Sequence, residues 1–228
     1  RQSSFGFVDQ LGLTGNVLFA SILFAEAASC MADMYFDSGQ QSRGDVWQEH
    51  SVKTVNGLNE LWCEEEAMYY AAGVDNRQID VWGSSYIASH HLTDRSRALR
   101  ISSRLVRDYE QAVKFGQVRH LFFPEFWNNR LDILMDQENM MGITCAPGHY
   151  QNGAYWAAAT GWVSAALRLT DPVLADHMLA DVLDDFQKNG IYEAVNDDPE
   201  YTGARDYVVS ATLVLEELIR IGVKLGKY

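Results

Sequence analysis

Four short segments of the sequence contain the residue types that a sugar-cleaving site requires. Such a site combines flat aromatic faces for pyranose rings, amides and acids for hydroxyl groups, and two opposed carboxyl groups. The segments are residues 6–12, 78–86, 148–156 and 190–196. Their chemistry indicates a carbohydrate as the partner of this chain.

Segment 148–156 is the most distinctive, because it places two amides, an imidazole and three aromatic rings in nine residues. We expect His149, Tyr150, Gln151, Asn152 and Trp156 to contact a sugar. The alternative is a buried loop, which requires every amide to find a hydrogen-bond partner inside the protein.

Glu193 follows a predicted helix in a loop that opens with glycine, a position that suits a general base holding a water molecule. Tyr192 lies beside it and is a candidate substrate contact. Glu200 is nearby, but its surroundings, 197–199, are typical of a solvated turn.

Two aspartates are candidates for the general acid. Asp9 lies between glycine and aromatic residues, and burial there would raise its pKa toward the working pH. Asp80 precedes a predicted helix together with Trp82, whose ring could stack on a sugar while Asp80 accepts hydroxyl hydrogen bonds. For both aspartates the competing interpretation is a helix N-cap, and for Trp82 it is a core position.

Other polar residues favour simpler interpretations. Arg119 could bind substrate or brace its loop, and both alternatives stay open. Asp181, Asp184 and Asp185 follow helical spacing and indicate a solvated helix face. No pattern of a metal or phosphate site is present, so we predict no metal and no cofactor.

The composition excludes several classes of protein. A net charge of −13 argues against nucleic acid as a partner. No apolar run reaches the ~18 residues of a membrane span, and the nearest one, 17–32, indicates a buried helix. Three cysteines at wide spacing form no disulfide or zinc pattern, and reduced thiols favour the cytosol.

Helical patterns and capping signals dominate the chain, and no alternating strand segments are evident. They predict about seven helices joined in pairs, within a single domain over 1–228. Paired helices stack as an open solenoid or close into a toroid, and the long, chemically distinctive alternate loops favour the toroid. The predicted helices are 14–36, 43–62, 84–92, 95–115, 153–169, 172–188 and 206–225.

The order of the motifs resembles the later part of the six-hairpin glycosidases, which include trehalases, processing α-glucosidases and amylo-glucosidase-like debranching enzymes. The matching positions are Leu61-Trp62 with Tyr69, then 150–156, then Tyr192-Glu193. The quoted stretches are GFVDQLGLTGNVLFASILFAEA, NGLNELWCEEEAMYYAA, QIDVWGSSYIA, GQVRHL, GHYQNGAYWAAATGWVSAAL and GIYEAVN.

The resemblance implies an all-α fold of paired helical hairpins from an (α/α)6 toroid. Such a toroid has about twelve helices, so about seven implies an incomplete ring, the C-terminal part of a catalytic domain. The upstream hairpins of the same enzyme would then be a partner, and one side should expose an apolar flank.

The resemblance also implies hydrolysis of an oligosaccharide or small glycoside with inversion. Glu193 would be the base, Asp9 the first candidate acid and Asp80 the second. The alternatives are a non-catalytic carbohydrate-binding or scaffold toroid and a polysaccharide lyase, in which Tyr150 and His149 would do the chemistry.

Overall fold

The computed structural model describes residues 11–129 and 146–224, and this part of the chain is mainly helical. Two 3-10 turns, Leu58–Leu61 and Ala157–Ala159, adjoin longer helices. The described part contains eight α-helices, which confirms the all-α prediction. They are α1 Leu18–Asp37, α2 Gln41–Gly57, α3 Val81–Ser89, α4 Arg95–Arg107, α5 Tyr109–Ala112, α6 Thr160–Leu167, α7 Pro172–Asn189 and α8 Val208–Arg220.

The longer helices form an inner and an outer layer of a toroid-like arrangement. The inner helices α1, α3, α6 and α8 pack side by side in that order, and α2, α4 and α7 pack outside them. Burial follows the layers, since every residue of α6 is buried whereas α2 buries only Gly44 and Ser51. Paired helical hairpins therefore build the fold, as the sequence predicts.

Glycines let the inner helices approach closely. A Cβ at Gly161 of α6 would lie 2.6 Å from the backbone oxygen of Leu213 in α8. A Cβ at Gly83 of α3 would likewise overlap Leu18 at the start of α1. Both positions require a residue without a side chain, because packed interiors leave no space for an added methyl group.

Three small antiparallel hairpins stand where the sequence patterns predicted no strands. Each occupies a connection between an outer helix and the next inner helix. Four of these six strands have only two residues, which is too short for apolar alternation to reveal them. The hairpins are β1 Trp62–Cys63 with β2 Met68–Tyr69, β3 Val113–Lys114 with β4 Gln117–Val118, and β5 Tyr192–Val195 with β6 Tyr201–Arg205.

The predicted helix bounds are shifted by up to about five residues at most ends, and two helices differ more than that. The predicted helix 95–115 is interrupted at Asp108, which separates α4 from α5, and the chain then turns into β3. The helix predicted from residue 153 starts only at Ala157, because Tyr155 and Trp156 are extended and pair with Val195 and Val118. Backbone pairing with distant segments overrode the local helical pattern.

Helices α1 and α8, the two ends of the inner row, both expose apolar side chains. Helix α1 is long and apolar enough to cross a bilayer, but one of its faces packs in the protein core. Its buried residues are Leu18, Ile22, Ala25, Ala28 and Ala32. The large exposed apolar residues are Leu23, Phe24 and Met34 on α1 and Val208, Leu215 and Ile219 on α8. The outer helices α2 and α7 expose apolar residues as well, so the apolar flank stays a prediction.

Candidate active site

The segments before the inner helices are joined to one another by backbone hydrogen bonds. Gly73 donates to Asn16 over 2.9 Å, which links the entries to α1 and α3. Val81 donates to His120 over 2.9 Å, linking α3 to the segment before α6. Tyr155 and Val195 exchange two bonds of 2.8 Å and link that segment to β5. Three of the four predicted site segments therefore meet on one face of the fold.

Glu193 lies in β5, where the register with β6 shifts between Tyr192 and Ala194. Such an irregularity re-aims a side chain. Its carboxylate accepts hydrogen bonds from the hydroxyl of Tyr150 over 2.9 Å and from the backbone N–H of Ala204 over 3.0 Å. Two donors suit the ionised carboxylate, which only accepts. Gly203, at φ +75°, leaves no space for a Cβ beside this carboxylate.

Tyr150 occupies a tight turn that directs its ring toward Glu193. Its φ is +42°, an uncommon value for a residue with a side chain. The N–H of Tyr150 donates to Asn196 Oδ1 over 3.2 Å, and its carbonyl accepts from Trp156 Nε1 over 3.2 Å. The Tyr150 and Trp156 rings lie 5.0 Å apart. This turn and the β5–β6 hairpin therefore hold each other in place.

Gln151 and Asn152 are almost fully buried and connect the loop of Tyr150 to the protein interior. Asn152 Oδ1 accepts from the backbone N–H of Trp127 over 2.7 Å, and the carbonyl of Gln151 accepts from Trp127 Nε1 over 3.0 Å. The sequence reasoning did not select Trp127. Its place in an aromatic-rich irregular stretch was the only available signal, and the contact is visible only in three dimensions.

Asp80 caps α3, because its carboxylate accepts from the N–H of Gly83 over 3.0 Å. Burial raises the pKa of Asp80 to about 6, although backbone hydrogen bonds from Gly83 and Trp82 oppose the rise. Trp82 is buried, stacks on the imidazole of His120 at 3.6 Å between ring centroids and donates from Nε1 to the carbonyl of Val118. Asp80 is thus observed as a helix N-cap and Trp82 as a core residue. Their contacts with a sugar stay predictions.

Arg119 has a fully buried side chain near the same loop. Its Nη2 donates to the carbonyl of Glu125 over 3.2 Å, and its guanidinium lies 5.1 Å from the ring centroid of Phe126. A Cβ at Gly153, where φ is +117°, would overlap Nη2 of Arg119. These contacts brace the loop, which was one of the two predicted roles.

Of the other predicted residues, Tyr192 and His149 are half-buried, and Asp9 lies outside the described residues. The ring of Tyr192 packs at 5.2 Å from that of Tyr201 in the same hairpin. His149 immediately precedes Tyr150 in the turn.

Asp185 corrects the prediction of a solvated face on α7, because it is 5% exposed. Its carboxylate accepts from Gln117 Nε2 over 2.8 Å, from Asn189 Nδ2 over 2.9 Å and from the hydroxyl of Tyr201. Asp185 therefore connects α7 to β4 and β6. The spacing of the acids could not reveal this, since Gln117 and Tyr201 come from other segments.

The described residues form an all-α, toroid-like fold. It is similar to GH63 mannosylglycerate hydrolase from Thermus thermophilus in complex with Tris and D-glycerate, with TM-score 0.59 and 19% identity over 86% of this chain and 44% of that chain. The complex of that hydrolase with glucose matches at TM-score 0.59 and 18% identity, covering 86% and 47%.

A sialidase matches with TM-score 0.60 and 10% identity over 90% of this chain and 19% of that one. The chain thus spans less than half the length of these neighbours. No protein-family model matches the sequence, and no curated protein does.

Proposed function

We propose that this chain forms part of an inverting glycoside hydrolase in which Glu193 is the general base. The observation that carries the proposal is the Glu193 carboxylate, held by Tyr150 and Ala204 on the face where the loops before the inner helices meet. The likeness of the fold to that of glycoside hydrolases supports it. Trehalases and processing α-glucosidases stay within the proposed class.

In this proposal the ionised Glu193 removes a proton from a water molecule, and the water attacks the anomeric carbon. A second, protonated carboxyl group donates its proton to the leaving oxygen from the opposite face. Inverting enzymes hold these two groups about 6.5–9.5 Å apart. Asp9 is the first candidate acid and Asp80 the second. A pKa of about 6 leaves a fraction of Asp80 protonated near neutral pH, and a general acid acts from that form.

The sugar would contact the aromatic and polar groups around Glu193. Tyr150 and Tyr192 are half-buried and so retain surface for a ligand. Gln151, Asn152, Trp156 and Arg119 would act mainly by fixing the shape of the loop, since all four are buried. Carbohydrate is accordingly the proposed ligand of this face.

The test is the Glu193→Gln variant, assayed with nitrophenyl glycosides and disaccharides. Loss of the base should reduce kcat by about 100-fold or more, while circular dichroism and thermal unfolding stay unchanged. Asp206→Asn, an exposed acid next to β6, is the matched control and should retain activity.

Proton NMR of the first product would report the anomeric configuration. Near-normal hydrolysis by Glu193→Gln would refute the assignment. An ultraviolet-absorbing unsaturated product would indicate a lyase, and binding without any product would indicate a non-catalytic scaffold.

A further inference from the structure

A group of metal-ligating side chains lies beside the candidate active site. His149 belongs to the turn that carries Tyr150, and Asp198 and Glu200 belong to the turn between β5 and β6. One ligand atom from each of the three lies within 4.8 Å of the other two. Imidazole nitrogen and carboxylate oxygen thus converge from two separate loops.

The local charges favour a cation at this point. Asp198 Oδ1 accepts a hydrogen bond from the N–H of Glu200 over 3.3 Å. Within 11–129 and 146–224, neither carboxylate forms an ion pair with a basic side chain. Lys114, the nearby cation, interacts with the neighbouring Asp197 instead, 2.7 Å from its carbonyl and 3.8 Å from its carboxylate. Two carboxylates held this close repel each other, and a bound cation would remove that repulsion.

We propose that His149, Asp198 and Glu200 bind a zinc ion. One nitrogen and two oxygen ligands suit zinc, whereas calcium and magnesium prefer oxygen ligands alone. Three protein ligands leave the fourth tetrahedral position to water. Zinc–ligand distances of about 2.0–2.2 Å require these atoms to move closer, and the exposed side chains of Asp198 and Glu200 can rotate to do so.

The ion would fasten the β5–β6 turn to the turn of Tyr150. The N–H of Asp197 already donates to the carbonyl of Gly148 over 2.9 Å, and Tyr150 N–H donates to Asn196. A metal bridge would add a further connection between the elements that carry Tyr150 and Glu193, beside these two bonds and the Tyr150–Glu193 hydrogen bond. Its effect on catalysis rests on the proposed function, but binding of the ion does not.

The test is calorimetric titration of the chelator-treated chain with zinc chloride. The background is Cys30→Ser, because Cys30 is an exposed thiol and thiolates are good zinc ligands. One saturable site and a rise in the unfolding temperature with zinc are expected, since a ligand that binds only the folded state stabilises it. Magnesium should produce neither effect.

His149→Ala and, separately, Asp198→Asn should weaken zinc binding by about tenfold or more. His177→Ala, an exposed histidine of α7, is the matched control. A cooperative thermal unfolding transition measured in the presence of chelator shows that each variant folds without zinc. Absence of saturable zinc binding, or equal affinity in His149→Ala and the parent, would overturn the proposal. If the chain binds zinc but hydrolyses no glycoside, the result would support the zinc site and contradict only the proposed function.

Discussion

The hydroxyl of Tyr150 donates to Glu193 Oε1 over 2.9 Å, although the two residues come from different loops. One loop precedes the inner helix α6 and the other precedes α8. The position of the proposed base therefore depends on how these two loops pack together.

Tyr150→Phe removes this donor while it preserves the ring that packs on Trp156. We expect kcat to fall by about 10-fold to 100-fold, since an oriented donor to a catalytic group contributes a few kcal/mol. KM and the unfolding temperature should change little. Tyr35→Phe, near the C-terminal end of α1, is the control in the same steady-state assay, and equal kcat in both variants would contradict the prediction.

Gly203→Ala should displace Glu193, because the new Cβ would overlap its carboxylate and φ is +75°. The strained backbone alone costs about 1 kcal/mol. Gly39→Ala is the matched control, because φ is +73° there and a Cβ would meet nothing within 4 Å. Both variants should lose stability in urea unfolding, but only Gly203→Ala should lose activity. Full activity of Gly203→Ala would show that Glu193 is not held as described.

Asp185→Asn should weaken the attachment of β6 to α7, because Asp185 accepts from Tyr201, Asn189 and Gln117. We expect a loss of about 1–3 kcal/mol in the free energy of unfolding, together with lower kcat. Asp184→Asn, which removes an exposed ion pair with Lys188, should cost at most about 0.5 kcal/mol. Similar losses in the two variants would contradict the buried role of Asp185.

The stability of the chain should depend on the protonation of Asp80. Burial raises the pKa of Asp80 from 3.8 to about 6 in the folded protein. The contribution of this group to stability is complete below pH 3.8 and disappears as the pH rises through about 6. It amounts to about 3 kcal/mol in total, of which about 1.4 kcal/mol is lost between about pH 5 and 8.

Asp80→Asn retains an N-cap residue without the titration. Urea unfolding measures the free energy of unfolding at about pH 5 and about pH 8. As the pH rises between these values, this free energy should decrease less for Asp80→Asn than for the wild type. The control is Asp94→Asn, at the exposed N-cap of α4. Its free energy of unfolding should decrease with pH as much as that of the wild type. Identical pH profiles for Asp80→Asn and the wild type would contradict the buried titration.

Local signals predicted the helices well where they were strong. The predicted helix starts at residues 95 and 172 are both observed. Asp94 and Asp171 cap these two helices, and a cap depends only on residues within one turn. The four candidate site segments were selected because their composition is unusual. Three of them lie on one face of the fold, and their role in a site stays a prediction.

Long-range partners were beyond the reach of sequence patterns. Trp156 has a helical pattern around it, yet it pairs with Val118 as an extended residue. Asp185 has the spacing of a solvated acid, yet Tyr201 and Gln117 bury it. None of these three partners is adjacent in sequence, and each determines the local conformation through hydrogen bonds between separate segments.

Helices α6 and α8 approach each other closely at Gly161, where an added Cβ would meet the backbone oxygen of Leu213. A methyl group at Gly161 would force α8 away from α6. The β5–β6 hairpin leads directly into α8. A displacement of α8 would therefore move Glu193 away from Tyr150. The distance between Tyr150 and Glu193, which belong to two different loops, thus depends partly on a glycine in the helical layer behind them.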